Sequence, residues 1–172
     1  MRLAFAALLG MFLTGCIGMP SPEEIQRRQA ETDQRNSHLQ HAISLGLPVY
    51  VNSKVLQGPN SVGGASVMYS LRNISSKPVK YINLHLVPYN SVGDAVPSEV
   101  GGKKDAWVKF TGPLASMEFT YPTWSNVWYN HSLKCVQLEE MEVVFMDGEI
   151  RKLESANIKN IFSQSFSNTC KV

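Results

Sequence analysis

After its first fifteen residues this chain of 172 has no apolar run long enough to cross a bilayer as a helix. It is also lightly charged, at 17% Asp, Glu, Lys and Arg with a formal net charge of +2. Lysines and arginines are scattered, and the adjacent lysine pair Lys103-Lys104 reads as a solvated loop. Without a basic face, nucleic acid is excluded as a partner. Catalytic signatures are missing too: there is no G-x-S-x-G and no H-E-x-x-H. His38, His41, His85 and His131 sit in no recognisable catalytic pattern, and Gly63-Gly64 lacks the lysine and following helix of a phosphate loop. His131 and Cys135 are close in sequence, but a nucleophile also needs an oriented base. Glu139, Glu140 and Glu142 read as carboxylates on a solvent face, and His38 with His41 as a surface pair, not metal ligands. The expectation is a non-enzyme with no cofactor and no metal.

What is present begins at the N-terminus. Arg2 supplies a positive start, Leu3 to Phe12 form an apolar run broken only by Gly10, and small residues follow. That is the anatomy of an export signal, with a hydrophobic stretch too short to span a bilayer. Leu13-Thr14-Gly15-Cys16 resembles the lipobox of bacterial lipoproteins, and the resemblance covers the first sixteen residues. It implies a diacylglycerol on the Cys16 sulfur, cleavage before Cys16 and acylation of the new amino terminus. The alternative is an ordinary secretory signal with a chance cysteine. Each buried methylene contributes roughly 0.8 kcal/mol, so two or three chains anchor almost permanently. By the sorting rule of enteric lipoproteins, Ile17 after Cys16, where an aspartate would retain the protein, implies the outer membrane, facing the periplasm. Another envelope protein is the expected partner. Replacing Cys16 by serine is expected to give a soluble or unprocessed form.

Loss of residues 1–15 leaves 157, enough for one domain with its own core. With Cys16 assigned to lipid, Cys135 and Cys170 remain as an even pair in an oxidising compartment. They form either a disulfide or two free thiols, and geometry decides which.

Residues 16–46 read as a partly helical lipidated tether. Ser21 is placed to cap a helix, Pro22 suits its first position, and Glu24 completes a capping box. The segment Ile25 to Leu45 has no continuous apolar stripe, so a helix there is solvated or only partly formed, and Gly46 stops it.

From residue 47 to 155 the pattern turns to strand chemistry. Ala65, Val67, Tyr69 and Leu71 alternate with polar or exposed positions, as do Ile82, Leu84 and Leu86. Residues 73–77 between them suit a hairpin loop. Tyr89 to Asp94 and Thr111-Gly112-Pro113 read as turns. In the run Cys135 to Met146 the apolar positions switch from even to odd, which marks Glu139-Glu140 as a β-bulge. Asp147-Gly148 is the strongest hairpin turn, leading into Glu149 to Leu153. A short helix around Ile158, Ile161 and Phe162 is expected over residues 155–166, within a C-terminal tail of 156–172.

About seven strands, without long amphipathic helices between them, predict an all-β antiparallel sandwich, with a small closed barrel as the alternative. The segments Asn90 to Asp94, Thr111 to Pro113 and Trp124 to Asn130 are similar to immunoglobulin-like modules of exported bacterial proteins, over residues 50–155. That resemblance implies a fold and leaves function open. Trp124, Trp128 and Tyr129 form the best candidate contact segment, since their apolar bodies with polar edges suit interfaces and sugar rings. The competing reading places Trp128 in the core. The functional expectation is a membrane-anchored, non-catalytic protein-binding or scaffolding module. The alternative is a ligand or glycan binder that uses the Trp124–Tyr129 segment.

Overall fold

The alternation at Ala65 to Leu71 does form a strand in the computed structural model, which describes residues 20–163 and 168–170, with Ser155 as backbone only. Residues 1–19, and with them the lipobox and Cys16, lie outside the described residues. Eight strands follow one helix: β1 Val49–Gln57, β2 Gly64–Asn73, β3 Val79–Tyr89, β4 Ala106–Leu114, β5 Phe119–Thr120, β6 Thr123–Tyr129, β7 Cys135–Phe145 and β8 Ile150–Leu153. The helix is α1, Pro22–Ser44, and a single turn, α2, Ser155–Ile158, comes after β8.

The strands make two antiparallel sheets. In one, β1 pairs with β2, and β5 and β6 pair with the other edge of β2. The second runs β4-β3-β7-β8. Lettered by position, these are A-B-E and C′-C-F-G, the immunoglobulin-like sandwich. Val67, Tyr69 and Leu71 of the first sheet share one buried cluster with Leu84, Leu86, Met141 and Phe145 of the second. The bulge lies where the parity change places it. His85 pairs with Glu140 and Leu86 with Leu138, leaving Glu139 as the extra residue. Gly148, at φ +89°, closes the turn between β7 and β8, a conformation that glycine adopts without strain.

Two expected turns are corrected. Residues 73–77 are not a hairpin loop, because β2 and β3 belong to different sheets and the loop crosses between them. The fully buried Asn73 holds that crossing: its Nδ2 donates to the carbonyls of Lys77, Leu114 and Ala115 at 2.9–3.1 Å. Lys77 then reaches the β7–β8 turn, 2.6 Å from both Asp147 and Glu149, and its ammonium holds both carboxyls below their ordinary range. Thr111-Gly112-Pro113 is not a turn either, since it lies inside β4. β4 is an edge strand, and its register against β3 slips between Val79 and Tyr81, opposite this segment. An edge and an irregularity are where a strand tolerates proline.

Helix α1 forms in full. Ser21 Oγ accepts from the Glu24 N–H, and Glu24 also pairs with Arg28 at 2.8 Å. Only its last turns touch the sandwich: Ala42 is buried, and Leu39 and Ile43 pack against the core. At about 1.5 Å per residue the helix is roughly 35 Å long, most of it solvated on all sides.

Helix α2 is shorter than expected, and residues 164–167 lie outside the described residues. Ile158, Ile161 and Phe162 are buried as anticipated. Past α2 the chain runs along the free edge of β1: the Val51 N–H donates to the Ile161 carbonyl at 2.7 Å, and Ser163 N–H to the Val51 carbonyl at 3.0 Å. An uncovered edge is a template for foreign strands, and here it is covered at Val51. Cys135 and Cys170 form a disulfide with Cα atoms 5.6 Å apart, tying the tail to β7.

Lys54 is a cation pointed into this structure. Its Nζ donates to the carbonyl of Val136, a part of β7 beyond the reach of β8, which pairs only with Met141 to Val144. Burial pushes its pKa down to about 8. Below that pH the lysine is charged in both folded and unfolded chains, and its desolvation weakens the fold by a constant amount. Above it, the folded chain sheds the proton first, so stability rises with pH. Burial raises the pKa values of Tyr50, Tyr69 and Tyr89, so unfolded tyrosines reverse the trend from about pH 10. We expect stability to climb by about 2 kcal/mol between about pH 7.5 and 9.5, read by urea denaturation at each pH. Lys54→Met flattens the climb; an equal climb in that variant would assign it to another group.

Candidate functional site

The bulge at Glu139 decides what the second sheet shows to solvent. By inserting one residue it turns Glu140 and Glu142 outward, opposite His85 and Asn83 of β3. β4 adds Trp107 opposite His85 and Lys109 opposite Asn83, and β8 adds Lys152 opposite Glu142. Two rows of side chains therefore cross the outer face of β4-β3-β7-β8. One row is Trp107, His85, Glu140; the other is Lys109, Asn83, Glu142, Lys152. Between and around them lies a groove of about 430 Å³, a volume in the range of small-ligand sites.

The first row is built around a stack. Trp107 lies over the His85 imidazole with ring centres 4.8 Å apart and planes 10° from parallel. His85 is mostly covered, and its Nε2 sits 2.8 Å from Asp105 Oδ2. Its Nδ1 is buried and 3.7 Å from Glu140 Oε1, too far for a hydrogen bond. Trp107 remains 56% exposed, so the ring face away from His85 is open. In the second row Asn83 Nδ2 donates to Glu142 Oε1 at 2.9 Å, and Lys152 Nζ is 3.8 Å from Glu142 Oε2. Lys109 lies over the Tyr81 ring at 4.4 Å. His85's polar neighbours are the carboxylates of Asp105 and Glu140. The arrangement can bind and orient.

The aromatic segment expected to make contact lies elsewhere. Trp128 is 1% exposed and fills the core opposite Ala65, whose small side chain leaves it room. Trp124 is half-buried, edge-on to Tyr69, and its Nε1 donates to the Lys109 carbonyl at 3.0 Å, so it joins β6 to the edge of β4. Tyr129 is half-buried and its backbone is bonded to Ser98 and Glu99. The three do not form an open surface together. Trp107, which does, belongs to a strand that the sequence reading did not assign; Ala106, Val108 and Phe110 alternating with Trp107 and Lys109 were its signal. A second apolar patch, Met117, Phe119 and Tyr121, lies in and beside β5, but Arg72 lies over the Phe119 ring at 4.6 Å. As a disulfide partner, Cys135 carries no thiolate for His131 to activate.

No family model matches the chain, and no curated protein is similar to it. Among solved structures it is similar to a hypothetical protein of Peptoclostridium difficile 630, at 12% identity and a TM-score of 0.43, over 71% of this chain and 95% of that one. It is also similar to the putative ApaA protein of Bordetella pertussis, at 16% identity and a TM-score of 0.33, over 62% of this chain and 85% of that one.

Proposed function

We propose that the chain is a lipid-anchored, non-catalytic binding module of the bacterial envelope, attached through Cys16 to the outer membrane and facing the periplasm. Its contact surface is the outer face of β4-β3-β7-β8. The observation that carries this reading is the exposed Trp107 on a groove lined by both charged and apolar side chains, in a sandwich whose other tryptophans are built into the fold. Helix α1 fits the anchored half of the proposal: a solvated rod of roughly 35 Å holds a domain clear of its attachment point. Among the described residues no helix is long and apolar enough to cross a membrane. The two or three acyl chains implied at Cys16 are enough for stable attachment.

Site-specific photocrosslinking in cells tests both halves. A photoreactive residue at Lys109, in the groove, is expected to trap an envelope component. The same residue at Ser66, on the other sheet, is expected to trap none or far less. Equal capture from both positions would overturn the assignment of the face. Cys16→Ser is expected to move the protein out of the membrane fraction; unchanged fractionation would refute the anchor.

A further inference from the structure

We infer that the groove holds a neutral saccharide ring, stacked on the open face of Trp107. This rests on the reading of the face as the contact surface and adds the class of ligand. The first observation is the platform. One face of the indole is used by His85, at 4.8 Å and nearly parallel, and the imidazole beneath is itself fixed by Asp105. The indole is thus held on one face while much of the side chain stays exposed. Pyranose rings present an apolar face of C–H groups, which dispersion and weak polar attraction favour on an aromatic plane. A platform already set in place adds no ordering cost on binding.

The second observation is the fringe. The groove walls carry two lysines, Lys109 and Lys152, and two glutamates, Glu140 and Glu142, with the Asn83 amide between them. Charge is balanced, so neither a cationic nor an anionic ligand is favoured by the field. Each hydroxyl of a sugar is both donor and acceptor, and this fringe offers ammonium and amide donors beside carboxylate acceptors. An apolar partner surface would strip the remaining water from those groups and put no hydrogen bond in its place, which costs affinity. A polyhydroxylated ring satisfies them.

The test titrates the full-length protein in detergent with chitotriose, cellotriose and maltotriose, up to about 10 mM, and follows tryptophan fluorescence. At least one is expected to give a saturable change. Trp128 is buried and Trp124 half-buried, so Trp107 dominates the response. Trp107→Ala is expected to weaken binding roughly tenfold or more, Trp107→Phe to restore part of it, and Trp124→Phe to leave it unchanged. Binding to the Trp107→Ala variant is read by calorimetry, since it lacks the reporter. Trp107 is an exposed side chain, and a circular dichroism spectrum confirms that its variants fold. Full affinity without Trp107 would overturn the inference. If no trisaccharide binds, yet the crosslinker at Lys109 captures a protein, the saccharide assignment fails and the assignment of the face stands. If neither happens, both fail.

Discussion

Replacing Cys135 and Cys170 together by serine is expected to lower the free energy of unfolding by about 4 kcal/mol. The two cysteines are 35 residues apart, and closing a loop of that length restricts the unfolded chain by roughly this amount in the loop-entropy model. The folded state keeps other ties to the tail. Asn168 exchanges two hydrogen bonds with the Leu138 backbone, at 3.0 and 2.9 Å, and the Cys170 N–H reaches Gln137 Oε1. The variant should therefore fold, with an earlier midpoint in urea denaturation. A loss below about 1 kcal/mol would show that these hydrogen bonds already restrain the tail in the unfolded ensemble.

Asn73→Ala is expected to cost about 3 kcal/mol, as breaking a buried polar network does. The side chain is fully buried and satisfies three carbonyls, while its Oδ1 accepts from both the N–H and the hydroxyl of Ser75. Removal strands acceptors that water cannot easily reach, at the point where the chain passes from one sheet to the other. Asn73→Asp separates this account from simple packing. It preserves the volume and Oδ1 but replaces the donor with a second acceptor facing three carbonyls. It should be at least as destabilised as the alanine variant; near-native thermal stability in Asn73→Asp would show that the donor is dispensable.

The same asparagine shows where sequence reading stopped. Residues 73–77 have loop chemistry, which was legible, but whether the next strand joins the same sheet depends on carbonyls about forty positions later, at Leu114 and Ala115. No local pattern carries that information. The bulge at Glu139 was legible because a bulge inverts alternation within a single strand, and alternation is a local property. β4 was missed because Gly112-Pro113 carries the strongest turn signature in its region, and an edge strand tolerates what a central strand does not. With β4 went Trp107, and with Trp107 the open face. Trp124 to Tyr129 drew attention by composition, whereas exposure depends on what lies opposite: Ala65 beside Trp128 makes a socket.

The pairing of residues 161–163 with β1 sets an order of assembly. Val51 is among the earliest residues of the sandwich to be synthesised, yet its outward hydrogen bonds wait for Ile161 and Ser163. A nascent chain has most of its strands in hand well before that point and still has an unfinished border at β1. A stretch made after every strand of both sheets closes the first strand at Val51, so that border is complete only once residues 161–163 are available.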